Sequence, residues 1–321
     1  MYKNKKILIT GGTGMMAYHL VPKLLEKGSS IRLVTHQRPL ADELKLENVE
    51  TVNGDLTSKS FVNEIMDDVD HVFHLAAYTG GLGRMSGHPA STLTPNLQMD
   101  SNVFEAAHAH QIERFMYASC SCIYPNMDVN LSEDMAWAGD PPEVHASYSW
   151  AKRMGEYQAK SYHDEYGMKI AIVRPSNSYG ENDNFDPVAS HVIPALIIKA
   201  AGEKMNPFKI WGDGTPIREF IYAGDVVDGM MMAFENYCVA DPLNLASGEF
   251  TTIGELAKTI IELSDYEPDV EFDVSKPNGQ MRRVLASDSA KTKIGFSAQT
   301  SLHDGLKQTI DWYKNHKDNY S

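Results

Sequence analysis

The sequence predicts an α/β fold built on a doubly wound parallel sheet with a smaller C-terminal α/β lobe, and three observations carry that expectation. Short β-rich runs alternate with helical patterns through the first half of the chain, a glycine cluster follows the first such run, and the pattern changes character after Gly180. Strand, helix, strand in repetition implies crossover connections, which produce parallel sheets covered by helices on both faces.

The first strand is read over Ile7 to Thr10 and is followed by a helix through His19 to Lys27. Strands at Ile31 to Thr35, Glu50 to Asn53 and His71 to Ala76 come next, then a helix through Asn96 to His110 and a strand over Phe115 to Ser119. A long helical pattern from Tyr148 to Tyr166 stops at Gly167, the residue type that ends helices by turning left-handed. Lys169 to Arg174 supplies another buried strand. Beyond Gly180 come a polar loop from Glu181 to Ala189, a helix from His191 to Ala201, the turn-rich Trp211-Gly212-Asp213-Gly214-Thr215-Pro216, and helices over Ile253 to Ser264 and Leu302 to Asn315. This divides the chain into a dinucleotide-binding unit, 1–180, and a substrate lobe, 181–321. No flexible linker separates them, so they are expected to pack together with some segments interleaved.

With 321 residues, 42% of them hydrophobic, the chain can bury a sizeable core, which excludes disordered and disulfide-miniprotein classes. The 29 Lys+Arg against 43 Asp+Glu give a net charge of −14, which argues against nucleic acid or an anionic membrane as partner. Cys120 and Cys122 lie one residue apart in a stretch read as strand, with Cys238 far along the chain, so no disulfide framework is expected. No metal site is expected. The N-terminus has no signal-peptide pattern and no run approaches the roughly 18 apolar residues of a membrane span, so a soluble, reducing, cytoplasmic location is expected.

Thr10-Gly11-Gly12-Thr13-Gly14-Met15-Met16-Ala17 closes the first strand and opens the first helix. Glycines there permit a tight turn and a close backbone approach, so that amides at the helix start can hold a pyrophosphate. Gly11, Gly12, Thr13, Gly14, Met15, Met16 and Ala17 are therefore candidate cofactor residues of a Rossmann-like unit; a purely structural turn is the alternative for such a short match. The second strand is followed by His36, Gln37 and Arg38 rather than by an acid, which favours the 2′-phosphate of NADP(H) over the free ribose of NAD(H). Arg38 reads otherwise as a solvated loop charge. Asp55-Leu56 can cap an adenine amino group, and Ala76-Ala77 leave room for the cofactor.

Tyr148 and Lys152 lie four apart at a helix start, on one face. A phenol beside an ammonium can exchange a proton with a hydroxyl or carbonyl while hydride moves to or from a nicotinamide. As an isolated match, Tyr-x-x-x-Lys is more often plain helix surface; here the glycine loop precedes it.

With these parts in place, the sequence resembles the extended short-chain dehydrogenase/reductase family, the nucleotide-sugar epimerases and dehydratases, over essentially its whole length. Five segments occur in order: Cys122-Ile123-Tyr124-Pro125, Asp183-Asn184-Phe185, Ser190-His191-Val192-Ile193-Pro194-Ala195, Trp211 to Phe220, and Ser275-Lys276-Pro277-Asn278-Gly279. Together they resemble the group that epimerises GDP-4-keto-6-deoxymannose at carbons 3 and 5 and reduces its ketone with NADPH to a GDP-L-fucose-like product. GDP-hexose 3,5-epimerases share the Cys-Ile-Tyr-Pro segment.

The resemblance implies that Cys122 and His191 form the epimerising pair, and the chemistry agrees. Inversion beside a ketone needs a base and an acid, and a thiol near pKa 8.5 with an imidazole near 6.5 suits neutral pH. Taken alone, Cys122 reads as a small buried apolar residue and His191 as a helix-start histidine. The Thr-Asp-Glu set of the 4,6-dehydratases is replaced by Cys120-Ser121-Cys122, which makes dehydration an unexpected reaction. Cys120 occupies the position of the hydroxyl residue that usually completes a Ser-Tyr-Lys set, leaving Ser121 or Ser119 as substitutes. The resemblance also carries Lys199, Trp211 and Arg218 onto the nucleotide diphosphate and base, with Lys276 close by, Asn177 against the sugar, and Pro175 and Ser178 toward the cofactor. It implies a homodimer formed through the Asn96–His110 and Tyr148–Tyr166 helices. A GDP-hexose epimerase without net redox change and a non-catalytic NADP-binding sensor are the competing functions; the presence of both Tyr148 and Lys152 speaks against the sensor.

Overall fold

The computed structural model describes residues 1–79, 87–187, 189–276 and 278–317; Val188 of the polar loop and Pro277 of the Ser275–Gly279 segment lie outside the described residues. The first half runs β1 (Lys6–Thr10), α1 (Met15–Glu26), β2 (Ser30–Thr35), β3 (Val49–Asn53), α2 (Lys59–Ile65), β4 (His71–His74), α3 (Pro89–Ala109) and β5 (Arg114–Ala118). It continues through β6 (Asn130–Leu131), α4 (Ala146–Tyr166), β7 (Ile170–Pro175) and β8 (Asn177–Tyr179). The remainder is α5 (Val192–Ile197), β9 (Phe208–Trp211), β10 (Ile217–Tyr222), α6 (Ala223–Asn236), β11 (Val239–Leu245), β12 (Phe250–Thr252), α7 (Ile253–Leu263), β13 (Val270–Asp273), β14 (Arg282–Leu285), α8 (Asp288–Ile294) and α9 (Leu302–His316).

Seven strands form one sheet in the order β11-β7-β5-β4-β1-β2-β3, with every neighbouring pair parallel. Ile7 and Ile9 of β1 pack toward α1 and α6 with Leu20, Leu24 and Met230, whereas Leu8 packs on the opposite face with Val62, Val103 and Phe104 of α2 and α3. Burial on both faces is why the central strands read as continuous apolar runs, and β3, at the edge, carries the polar Glu50, Thr51 and Asn53. Strand order reverses between β1 and β4, so a crevice opens beyond their C-terminal ends, where doubly wound sheets bind ligands.

A second sheet, β12-β10-β14-β6 with β8 on β10, and the parallel pair β13-β9 build the smaller unit around Phe185, Leu196, Phe208, Phe220, Leu256 and Leu306. The division at residue 180 does not follow the sheets. After contributing β9 and β10 to the smaller unit, the chain returns to the large sheet with α6 and β11, whose Leu243 and Leu245 lie in the first core.

Local differences from the sequence reading have physical causes. α3 begins at Pro89 rather than Asn96, because Pro89 occupies the first turn, where the missing N–H is no loss, and the helix accommodates Pro95. The helix read over 191–201 is α5 followed by a π turn, Ile198–Gly202, which carries Lys199. Gly167 ends α4 at φ 68°, with its N–H on the His163 carbonyl. Among the described residues no helix is long and apolar enough to cross a membrane.

Candidate active site

The loop after β1 is shaped by its glycines. Gly11 has φ 72°, and a Cβ there would lie 2.9 Å from the Ala76 backbone after β4; at Gly12 it would lie 2.4 Å from Leu33. The Gly14 N–H donates to the Gly11 carbonyl, and α1 starts with neither a side-chain cap nor an acidic residue in its first turn. Ala17 is fully buried, which explains a small residue there. Uncapped amides at the N-terminus of a twelve-residue helix, in a cradle that side chains would fill, fit the diphosphate of a dinucleotide.

Around that cradle His36 is exposed, Asp55 accepts the Thr57 N–H in its own turn, Leu56 is buried, and Ala76 and Ala77 are half-buried. Arg38 is not the solvated loop charge of the alternative reading. Its Nη2 donates to the Asn182 carbonyl and side-chain oxygen and to the Asp183 carbonyl, at 3.1–3.2 Å, tying the end of β2 to the loop that leads to His191.

Behind Tyr148 and Lys152 lies a buried polar chain that the sequence reading missed. Lys152 Nζ donates to the Tyr117 hydroxyl at 3.4 Å and lies 4.5 Å from that ring's centre. Tyr117 donates to Asp100 Oδ2 at 2.6 Å; Asp100 Oδ1 meets His74 Nε2 at 2.9 Å, and His74 Nδ1 meets Thr10 Oγ1 at 2.7 Å. Burial pulls the Lys152 ammonium below the usual lysine range, against the pull of Asp100 and Glu156. Burial, and then Asp100, push the Tyr148 phenol above the ordinary tyrosine range. Gly155 makes room for this chain, since a Cβ there would lie 1.9 Å from the Tyr117 oxygen and 2.6 Å from Asp100 Oδ2. Gly155→Ala is therefore expected to destabilise the protein by about 1–3 kcal/mol in urea unfolding through overpacking, despite alanine's higher helix propensity. An unchanged or raised midpoint would overturn this.

Cys120 and Cys122 correct the sequence reading. They are not on a strand: β5 ends at Ala118, and 121–123 form a 3₁₀ turn. The turn brings their Cα atoms to 5.5 Å, against about 6.7 Å for two strand residues, and the two are joined by a disulfide where none was expected. Ser149 Oγ donates to the Cys122 carbonyl at 2.9 Å, and Arg153 Nε and Nη2 donate to the Ile123 carbonyl at 3.0 and 2.7 Å, so α4 holds this turn directly. Ser119 and Ser121 are both buried, and Ser119 Oγ has no hydrogen-bond partner.

His191 is exposed at the start of α5. Asp183 is buried nearby, its Oδ2 unbonded; burial pushes its carboxyl up, against the opposing charges of His191 and Arg38. Asn177 Nδ2 donates to the Glu219 carbonyl, Pro175 ends β7 in the large sheet, and Ser178 Oγ donates to the Ser176 carbonyl.

On the substrate side, Trp211 is 65% exposed with Lys276 Nζ 5.4 Å from its ring centre. Lys199 Nζ donates to the Lys209 carbonyl at 2.9 Å. Arg218 pairs in register with Arg283 across β10 and β14, a residue the sequence reading missed although it follows the Ser275–Gly279 segment in an Arg-Arg doublet. Neither guanidinium has an ion-pair partner among the described residues, and Arg283 Nε is buried without a hydrogen bond. Burial, with Arg218 beside it, pulls Arg283 down to about 10, and burial together with Arg283 pulls His145 down to about 4. Two adjacent half-buried cations without a counterion suit an anionic ligand.

Residues 7–246 match the NAD dependent epimerase/dehydratase family. The chain is 32% identical over 317 residues to GDP-L-fucose synthase 1 of Arabidopsis thaliana, covering 97% of this chain and 94% of that one. It is 30% identical over 329 residues to GDP-L-fucose synthase of Escherichia coli (strain K12), covering 98% of each. The fold matches a solved GDP-L-fucose synthetase of Naegleria fowleri bound to NADP, with a TM-score of 0.83 at 22% identity, covering 98% of this chain and 96% of that one.

Proposed function

The chain belongs to the NAD dependent epimerase/dehydratase family, whose members are NAD(P)-binding enzymes, and from that premise we propose that it is an NADPH-dependent epimerase/reductase. In this reading it converts GDP-4-keto-6-deoxymannose by 3,5-epimerisation and 4-reduction to a GDP-L-fucose-like product. The observation that carries the reading is the junction of α4 with the turn after β5. Tyr148 and Lys152 leave one helix whose Ser149 and Arg153 grip the segment bearing Cys122, so a proton-exchanging thiol and a proton-donating phenol share one rigid support. The names of the relatives support the substrate class.

Once reduced, Cys122 takes the carbon-bound proton beside the ketone, and His191 returns one to the opposite face. Tyr148, kept neutral by its raised pKa, then donates its proton to the ketone oxygen. The glycine loop would hold the diphosphate of a nicotinamide dinucleotide, which would supply the hydride. Lys152 orients the phenol, and Ser119, with its free Oγ, holds the sugar oxygen in place of the usual hydroxyl residue. Arg218 and Arg283 take the diphosphate, with Lys199, Trp211 and Lys276 around the nucleotide and Asn177 at the sugar. The absence of an acid after β2 favours NADPH. The dimer is assigned to α3 and α4, where Tyr157 and Tyr166 are 59% and 49% exposed.

The test is an assay of GDP-4-keto-6-deoxymannose with NADPH or NADH under a dithiol reductant. Stoichiometric oxidation, faster with NADPH, is expected. Exchange of solvent deuterium into carbons 3 and 5 without net oxidation would instead establish an epimerase with no net redox change.

A further inference from the structure

The turn that bears Cys122 has a second thiol where the resemblance leads one to expect a hydroxyl, and the two sulfurs are bonded. Three observations make this pair more than a coincidence of sequence. Their Cα atoms are 5.5 Å apart, within the range a disulfide spans without backbone movement. Both residues are partly rather than fully buried, so the pair lies at the margin of the core and not sealed within it. Ser149 and Arg153 hold the Cys122 and Ile123 carbonyls, so the Cys122 end of the turn is anchored to α4 by contacts that do not involve the sulfurs.

We propose that Cys120 and Cys122 form a reversible thiol–disulfide exchange site whose co-substrates are small-molecule disulfides and dithiols, and that closing the bond stops proton transfer at Cys122. The inference rests on the reading of Cys122 as an acid/base residue. In the closing direction, the thiolate of one cysteine attacks a sulfur of the small disulfide and expels the other sulfur as thiolate. The second cysteine's thiolate then attacks the mixed disulfide, forming the Cys120–Cys122 bond and expelling the remaining thiolate. Two electrons and the two thiol protons of the protein pass to the reagent, which leaves as two thiols. Cys122 Sγ, now bonded to sulfur, has no proton to give and no charge with which to take one, so the disulfide form shown here is the closed state. Reduction by a dithiol reverses each step. Cys238, whose Sγ donates to the Phe234 carbonyl at 3.1 Å, stays outside the exchange and serves as an internal reference.

The test follows solvent-deuterium exchange at carbons 3 and 5 of GDP-4-keto-6-deoxymannose, together with titratable thiols and intact mass, in buffers of oxidised or reduced dithiothreitol. For the unmodified chain, oxidation is expected to lower free thiols from three to one and to slow exchange about 10²-fold or more, with full recovery on reduction. Cys120→Ser, compared only with itself, is expected to exchange at the same rate in both buffers, and Cys120→Ala repeats the comparison without a hydroxyl. Three free thiols persisting in the oxidising buffer would overturn the proposal and leave the acid/base reading intact. Equal oxidative loss in unmodified protein and both variants would likewise overturn it. Loss of two thiols with exchange undiminished would overturn the acid/base reading itself, and the proposal with it.

Discussion

Replacing Tyr148 by phenylalanine is expected to slow NADPH oxidation about 10²–10⁴-fold while solvent-deuterium exchange into the keto sugar continues near the unmodified rate. The substitution keeps the ring and its packing and removes only the proton that must reach the ketone oxygen as hydride arrives. The split between the two readouts is the informative part, since a general loss of folding or of substrate binding would lower both. Burial and Asp100 raise the Tyr148 pKa, so the phenol stays protonated throughout neutral pH and well into the alkaline range. Reduction should therefore show no alkaline limb of its own between about pH 7 and 9. A limb near pH 8 that exchange does not share would mean that the donor is some other group.

Cys122→Ser, assayed with a dithiol present, is expected to do the opposite. A hydroxyl is a far weaker acid than a thiol near pKa 8.5, so exchange at carbons 3 and 5 should fall about 10²–10⁴-fold. The ketone remains reducible, and the product should then be the unepimerised 6-deoxyhexose, distinguishable by proton couplings around the ring. Exchange at the unmodified rate would remove Cys122 from the epimerising role. The two substitutions thus separate proton transfer at carbon from proton transfer at oxygen.

The parts of the site built from backbone demands were legible in the sequence. Gly11 and Gly12 could be placed because the contacts with Ala76 and Leu33 exclude any Cβ, and the end of α4 because Gly167 has the one conformation that stops a helix there. Side chains that act through neighbours on other elements were not legible. Asp100, on a helix whose other inward residues include Val103, Phe104 and Ala107, reads as a surface charge until Tyr117 and His74 are seen on either side of it. Arg283 gains its meaning only from Arg218, which lies 65 residues earlier but pairs with it across a sheet. The Cys120–Cys122 bond was hidden because its existence depends on where β5 stops, and element ends are set by tertiary contacts such as the Ser149 and Arg153 clamps rather than by local propensity.

The return of the chain to the large sheet limits how this enzyme can be re-engineered. A fragment ending at residue 180 would lack β11, leaving β7 with an unpaired and wholly buried-type face of backbone donors and acceptors, a template for aggregation. The smaller unit is therefore not a cassette that can be cut out and exchanged with that of a relative at a single junction. Any transplant of sugar specificity has to move at least two stretches, one before α6 and one after β11, and leave the strand between them in place. Because β10, which carries Arg218, leads straight into α6, a change on that strand is mechanically continuous with the helix that packs on the seven-stranded sheet.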